Sequence, residues 1–283
     1  MDLCCFVSLC LGGYNFYNKI NYIMEIELNK MKTLLSETVY YSLVDDNHSI
    51  EMNPYIGKKI SLKFDGKTQC QSCRKIKRLF AQGFCYDCFM KSADASPCII
   101  NPQLCEGHLG KGRDIEWEKA HHVQPHFVYL AVASALKVGV TRNTQIPTRW
   151  IDQGASYAIK IAETPYRKLA GDIEVALKEC FTDKTNWQAM LKNEIADFDL
   201  LEEKWKLEDV LPGDLSQYLC EDDEIVEINY PVLVFPKKIT SVTFDKTPFV
   251  EGTLIGIKGQ YLIFDDGRVL NIRKHDGYHI VLT

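Results

Sequence analysis

The 283-residue sequence lacks an apolar run long enough to cross a bilayer. Its longest such stretch, "LCCFVSLCLGG" from Leu3 to Gly13, is too short and follows Asp2 rather than a basic flank, so it also makes a poor signal peptide. Positive charge is scarce too. With 33 Lys and Arg against 38 Asp and Glu the formal net charge is −5, which excludes a protein that coats nucleic acid by bulk charge. No internal repeat of about 20 to 50 residues and no low-complexity tract is visible, which excludes solenoids and disordered arrays. What remains is an ordinary globular chain, 46% apolar and 25% charged, long enough for a sizeable core shared by two or three modules. The expectation is a cytoplasmic protein with no membrane partner. Because Met24 opens a conventional "MEIELNKM", the segment 1–23 is read as an extension outside the fold, with a weak signal peptide as the other reading.

Cysteine, in contrast, is plentiful at 11 residues, and its spacing carries the most specific signal. Cys70, Cys73, Cys85 and Cys88 read C-x2-C-x11-C-x2-C. Each C-x2-C knuckle turns tightly enough to aim two sulfurs at one point, which is what a tetrahedral thiolate site for Zn2+ needs. Two disulfides or a redox pair are the alternatives, and neither suits a chain without a secretion signal. A second group follows in Cys98, Cys105, His108, His121, His122 and His126. Its irregular spacing fits a second zinc held by Cys98, Cys105, His108 and one of His121 or His122, or equally a set of free cysteines and surface histidines. Cys180 and Cys220 sit in apolar contexts and read as core residues. Within "KTQCQSCRKIKRLF", Lys67, Arg74, Lys75, Lys77 and Arg78 occur with no acid among them, as a local nucleic-acid contact or a solvated face.

From residue 126 to 193 the chain alternates strands and helices. "FVYLAVA" and "LKVGVT" are β-type runs separated only by Ser134 and Ala135, which predicts a hairpin. Pro147 then opens a short helix carrying Arg149, with Gly154 near its end. "SYAIKIAE" is a third strand. A second helix is expected from Thr164 as cap and Pro165 as first residue, burying Leu169, Ile173, Ala176, Leu177 and Cys180.

This order of hairpin, helix, strand and helix resembles the GIY-YIG endonuclease superfamily. "VYL" stands for its first motif and "KVG" for its second. The resemblance implies that Tyr129 matches the first tyrosine, Gly139 the glycine of the second motif, Arg149 the helical arginine and Glu174 the metal-binding glutamate. Lys137 replaces the second tyrosine, and a lysine serves as a base only when its pKa is pulled far down; otherwise it holds a phosphate. Lys137, Arg142 and Arg149 are expected to converge with Tyr129 and Glu174 on one sheet face. There they would bind a phosphodiester and one Mg2+ or Mn2+, with Gly171 leaving space beside Glu174. The bland reading makes Arg149 and Glu174 an ion pair between helices and Tyr129 a core residue. From Cys70 to about Leu191 the chain also resembles a bacterial family of unknown function. The resemblance implies a cysteine-rich, zinc-binding front joined to segments close to "VYLA", "KVGITR", "QIPTRWIDQGA" and "AGLIE"; this chain reads "KVGVTR" at the second. The pairing of zinc knuckles with a GIY-YIG-like core implies nucleic acid as partner.

Both ends of the chain are β-rich. "VYYSLV" and "KKISLKF" precede the cysteines, and "KKITSVTF", "GTLIGIKGQYLIFDD" and "GRVLNIRKHDGYHIVL" close the chain, with turns at Gly259-Gln260 and Asp266-Gly267. The C-terminal strands are expected to form a small barrel, alone or completed by the N-terminal ones. Lys258, Arg273, Lys274 and His275 with Tyr261 and Tyr278 would line a single-strand groove on it. The fold class is therefore α+β. Its expected parts are the extension (1–23), β-rich N-terminal part (24–69), zinc segment (70–125), GIY-YIG-like three-stranded sheet with helices (126–193), acidic helical connector (194–227) and C-terminal barrel (228–283). Three functions compete: a metal-dependent nuclease, a nucleic-acid-binding protein on a nuclease-like fold, and a zinc-stabilised adaptor for another protein.

Overall fold

A computed structural model describes residues 23–178, 180–181 and 186–283; the apolar stretch Leu3–Gly13 and the rest of the extension up to residue 22 lie outside the described residues. The fold is α+β, with three sheets among the described residues. The N-terminal part supplies β1 (Met24–Glu27), a meander of β2 (Lys32–Leu34), β3 (Tyr40–Val44) and β4 (Ser49–Glu51), and the long β5 (Lys59–Thr68). Two short helices, α1 (Tyr86–Lys91) and α2 (Ile115–His122), stand in the cysteine-rich segment. The central part then runs β6 (His126–Val132), β7 (Leu136–Arg142), α3 (Thr148–Asp152), β8 (Tyr157–Thr164), α4 (Arg167–Leu177) and α5 (Trp187–Leu191). After α6 (Leu200–Trp205) and β9 (Ile225–Glu227), the C-terminal part adds β10 (Thr240–Val242), β11 (Phe249–Lys258), β12 (Tyr261–Phe264), β13 (Arg268–Asn271) and β14 (Tyr278–Leu282).

The expected hairpin is β6–β7, in uninterrupted antiparallel register from His126↔Arg142 to Val132↔Leu136. Its sheet has four strands rather than three, in the order β7-β6-β8-β9, because the acidic connector ends in a strand that pairs with β8. Burial on both sides explains the nearly unbroken apolar run of β6. Val128, Leu130 and Val132 pack with Ile173 and Leu177 of α4, while Tyr129 and Ala131 face a second core shared with Trp150, Ile60, Leu62 and Leu254. The second helix starts later than its sequence signals: Thr164 stays in β8, its hydroxyl donating to Tyr166 O at 3.1 Å, and Tyr166 is the N-cap. It also stops earlier, at Leu177, so Cys180 falls beyond its last turn and is exposed instead of lying in the buried stripe.

The C-terminal strands do not close into a barrel. β5 hydrogen-bonds to β14 on one side and β11 on the other, so an N-terminal strand sits inside the C-terminal set. The result is one open seven-stranded sheet, β1-β14-β5-β11-β12-β13-β10, whose edges β1 and β10 are not paired with each other. Both predicted turns form, with Gly259 and Gly267 at φ +61° and +81°. Among the described residues no helix is long and apolar enough to cross a membrane.

Lys258, expected on an exposed groove, is fully buried at the β11–β12 hairpin. Its ammonium donates to Asn193 Oδ1 at 2.8 Å and lies over the rings of Tyr230 and Phe235 at 5.0 and 5.6 Å. Burial pulls its pKa from 10.5 to about 8. Below that value the lysine is charged in folded and unfolded chains alike and folding carries the whole desolvation penalty. Between the two values the unfolded chain holds the extra proton, so stability rises with pH. Urea titrations should show the wild type gaining roughly 2 kcal/mol over Lys258→Met between pH 7.5 and 10. Parallel profiles for the two proteins would contradict this reading.

Candidate metal centres and basic cleft

The first cysteine group is assembled by two tight turns. β5 leads into Cys70, whose carbonyl accepts from Arg74 N at 2.9 Å, and Arg74 takes the left-handed φ of +55° that closes the knuckle. The second knuckle enters α1, with Cys85 as N-cap and Cys88 in the first turn. The four sulfurs lie within 4.8 Å of one another. Burial pushes the Cys70 thiol up, but N–H groups of Cys85, Cys73 and Ser72 outweigh it and bring the pKa to about 6. The Cys85 bond is 3.3 Å long. Four sulfurs this close cannot all be thiolates without a cation between them, and a tetrahedral divalent ion such as zinc meets that need.

The basic residues Lys67, Arg74, Lys75, Lys77 and Arg78 are all exposed, Lys67 pairing with Asp65 at 3.2 Å. Arg74 forms a two-pronged bond to Glu27, at 2.9 and 2.7 Å, and a third to Asp46 at 2.8 Å. It therefore clasps the knuckle to β1 and is not presented to a phosphate. Lys77 pairs with Asp87 at 3.4 Å.

The second cluster differs from the expected ligand set. Cys98, Cys105, Glu118 and His122 converge within 4.8 Å, all buried. Glu118 and His122 are one turn apart on α2, which Asp114 caps by accepting from Trp117 N at 3.0 Å. His122 Nδ1 lies 3.5 Å from Cys105 Sγ and 3.9 Å from Cys98 Sγ, and Glu118 Oε2 touches the same nitrogen. Gly112 makes room for the carboxylate, since a Cβ there would sit 2.7 Å from Glu118 Oε1. His108 is outside the cluster, stacked on Tyr166 with ring centres 4.6 Å apart; His121 is stacked on Trp117 and bonded to its carbonyl. Two sulfurs, one imidazole and one carboxylate make a tetrahedral set suited to zinc. Glu118 is absent from the ligand set expected from residue type, although its i, i+4 spacing to His122 on a helix capped by Asp114 is legible in the sequence.

Around β6 and β7 the candidate catalytic residues separate into two groups. Tyr129 is fully buried, its ring seated over Gly139, where a Cβ would come within 2.6 Å of Cζ. Its hydroxyl donates to Gln153 Oε1 at 3.1 Å. Burial raises the phenol pKa, with Arg149 pulling it down and Glu174 pushing it up, so these three residues share one neighbourhood. Arg142 does not join them. It is five positions from Lys137 along a regular strand, hence on the opposite face, and half-buried. Nor does Gly171 leave a ligand space: a Cβ there would lie 2.8 Å from Pro102 Cβ, because the second metal segment packs on α4.

Lys137 instead faces a cleft of about 380 Å³ between the central part and the C-terminal strands. Gln153, Trp187, Tyr261, Asn271, Arg273 and Lys274 also line it. Its carboxylate, Asp152, is engaged by Lys30 at 2.7 Å and Gln260 at 2.9 Å. Of the groove residues expected on the C-terminal strands, Tyr261, Arg273 and Lys274 are here. His275 is buried, and Tyr278 packs with Phe64 and Phe244.

Elemental analysis of the purified chain should find about two zinc ions per molecule. Glu118→Ala and Gly112→Ala should each reduce this toward one, whereas His108→Ala should leave both. A loss of metal in His108→Ala with none in Glu118→Ala would restore the ligand set expected from sequence.

Comparison with known proteins adds one match. Neither a curated protein nor a solved structure matches the chain. One family profile, described as "Protein of unknown function (DUF2797)", matches residues 57–280, from the turn before β5 to the middle of β14. The chain belongs to that family.

Proposed function

We propose that this chain is a metal-stabilised nucleic-acid-binding protein whose contact surface is the basic cleft beside β7. The observation that carries the reading is the meeting of Lys137 with Arg273 and Lys274 around one cavity, where the lining carboxylate of Asp152 is engaged by Lys30 and Gln260. Cations gathered in a concave, partly desolvated site hold phosphates far better than the same charges spread over a surface. The net charge of the whole chain is −5, which favours contact through a local patch over binding by bulk charge.

Binding is favoured over cleavage by the state of the GIY-YIG-like residues. Tyr129 is buried and its pKa is raised, Lys137 stands in for the second tyrosine, and the space beside Gly171 is filled. The closeness of Tyr129, Arg149 and Glu174 keeps a second reading open to test: Glu174 holding Mg2+ or Mn2+, Arg149 and Lys137 holding phosphate and Tyr129 orienting the nucleophile.

Labelled oligonucleotides should bind with an affinity that falls by a slope of about two in log K against log salt, as three phosphate contacts on a single strand require. Lys137→Ala and Arg273→Ala should each weaken binding about three- to tenfold and lower that slope. No product is expected with magnesium or manganese. Cleavage abolished by Glu174→Ala would establish the nuclease reading instead, and the absence of salt-dependent binding would leave the adaptor reading.

A further inference from the structure

The cleft contains more than positive charge. Trp187 and Tyr261 stand in its wall with their rings parallel to within 2° and their centres 5.8 Å apart. They come from α5 and the first residue of β12 and are offset-stacked on each other where these elements meet, so each ring keeps one outer face to offer. Asn186 caps α5, its side chain accepting from Gln188 N at 3.0 Å, and Met190 and Leu191, one turn on along the face that carries Trp187, seat that face on a small core against which Tyr261 also packs. This leaves Trp187 half-buried and held in place. The side-chain amides of Gln153 and Asn271 line the same cavity, as does Gln260, whose own amide is engaged by Met31 and Asp152.

We propose that this cleft holds one unstacked nucleotide of a single strand, its base on the outer face of the Trp187–Tyr261 stack and its own and the flanking phosphates shared among Arg273, Lys274 and Lys137. The inference rests on the nucleic-acid reading above and narrows it to single strands. A volume of about 380 Å³ suits one nucleotide unit and not the width of a duplex. A base inside a duplex has both faces covered by its neighbours, so it reaches a flat aromatic wall only after unstacking, which a single strand does at little expense. Stacking tolerates any base, because each presents a π-face, while side-chain amides can meet the polar edge of whichever base enters.

Fluorescence anisotropy with a labelled single-stranded oligonucleotide and a blunt duplex of the same length separates the possibilities. Wild type should prefer the single strand. Trp187→Ala should lower single-strand affinity tenfold or more, Trp187→Phe should retain it within about threefold, and neither should change the weaker duplex binding. Trp187 is one of four tryptophans, so the quenching of its emission by adenosine 5′-monophosphate is read as the difference between wild type and Trp187→Phe. Quenching at millimolar nucleotide, together with competition against the bound strand, is expected. Equal affinity for single strand and duplex, or unchanged single-strand binding by Trp187→Ala, would overturn the inference. If binding remains salt-dependent and sensitive to Arg273→Ala, the nucleic-acid reading survives that result. Micromolar binding of the mononucleotide with no binding of either oligonucleotide would overturn both.

Discussion

The carboxylate of Asp152 is the point at which the three parts of this chain are tied together. It lies at the end of α3 with only 3% of its side chain exposed, and a charge so placed is tolerable only when it is paired and hydrogen-bonded. Lys30, beside β2, supplies the cation at 2.7 Å, and Gln260, at the tip of the β11–β12 hairpin, supplies an amide at 2.9 Å. Gln260 in turn accepts from Met31 N at 2.8 Å. Gly259, the preceding residue, lets the hairpin tip approach closely: a Cβ there would be 3.2 Å from Asp152 O. N-terminal, central and C-terminal segments thus meet at one carboxylate, and the cleft is the gap left beside that junction.

This junction explains why parts of the fold were legible and others were not. The first cysteine group, the β6–β7 hairpin and the Gly259 and Gly267 turns depend on residues within a few positions of each other, and the sequence pattern identified them. The open seven-stranded sheet depends on β5 pairing with strands some 190 and 210 residues away, and alternation of Ile60, Leu62 and Phe64 says only that β5 has a buried face. Lys258 was misplaced for the same reason. Nothing local distinguishes a lysine on a solvent-facing strand from one inserted between Tyr230 and Phe235.

The second metal cluster shows the same division within a single site. Cys98, Cys105 and His122 were named from residue type alone. Residue type alone points to His108 and passes over Glu118, yet the ligand set is decided by α2. A capped helix puts residues i and i+4 on one face, and the face that presents His122 necessarily presents Glu118. His108 sits in a turn whose exit stacks it on Tyr166 instead.

That cluster is also no appendage to the central sheet. Arg167, the first residue of α4, donates to the carbonyls of Cys98 and Ile99 at 3.0 and 2.9 Å, and Gly171 one turn later admits the Pro102–Gln103 backbone. The helix that carries Glu174 is therefore fixed from one side by the metal segment and from the other by the sheet. In a GIY-YIG-like enzyme the surroundings of that glutamate would have to admit metal and substrate. Here the flank at Gly171 is occupied by the chain itself, and Tyr129 is sealed beneath Gln153. The open cavity lies instead beside Lys137 and the C-terminal strands, lined by Arg273, Lys274, Trp187 and Tyr261.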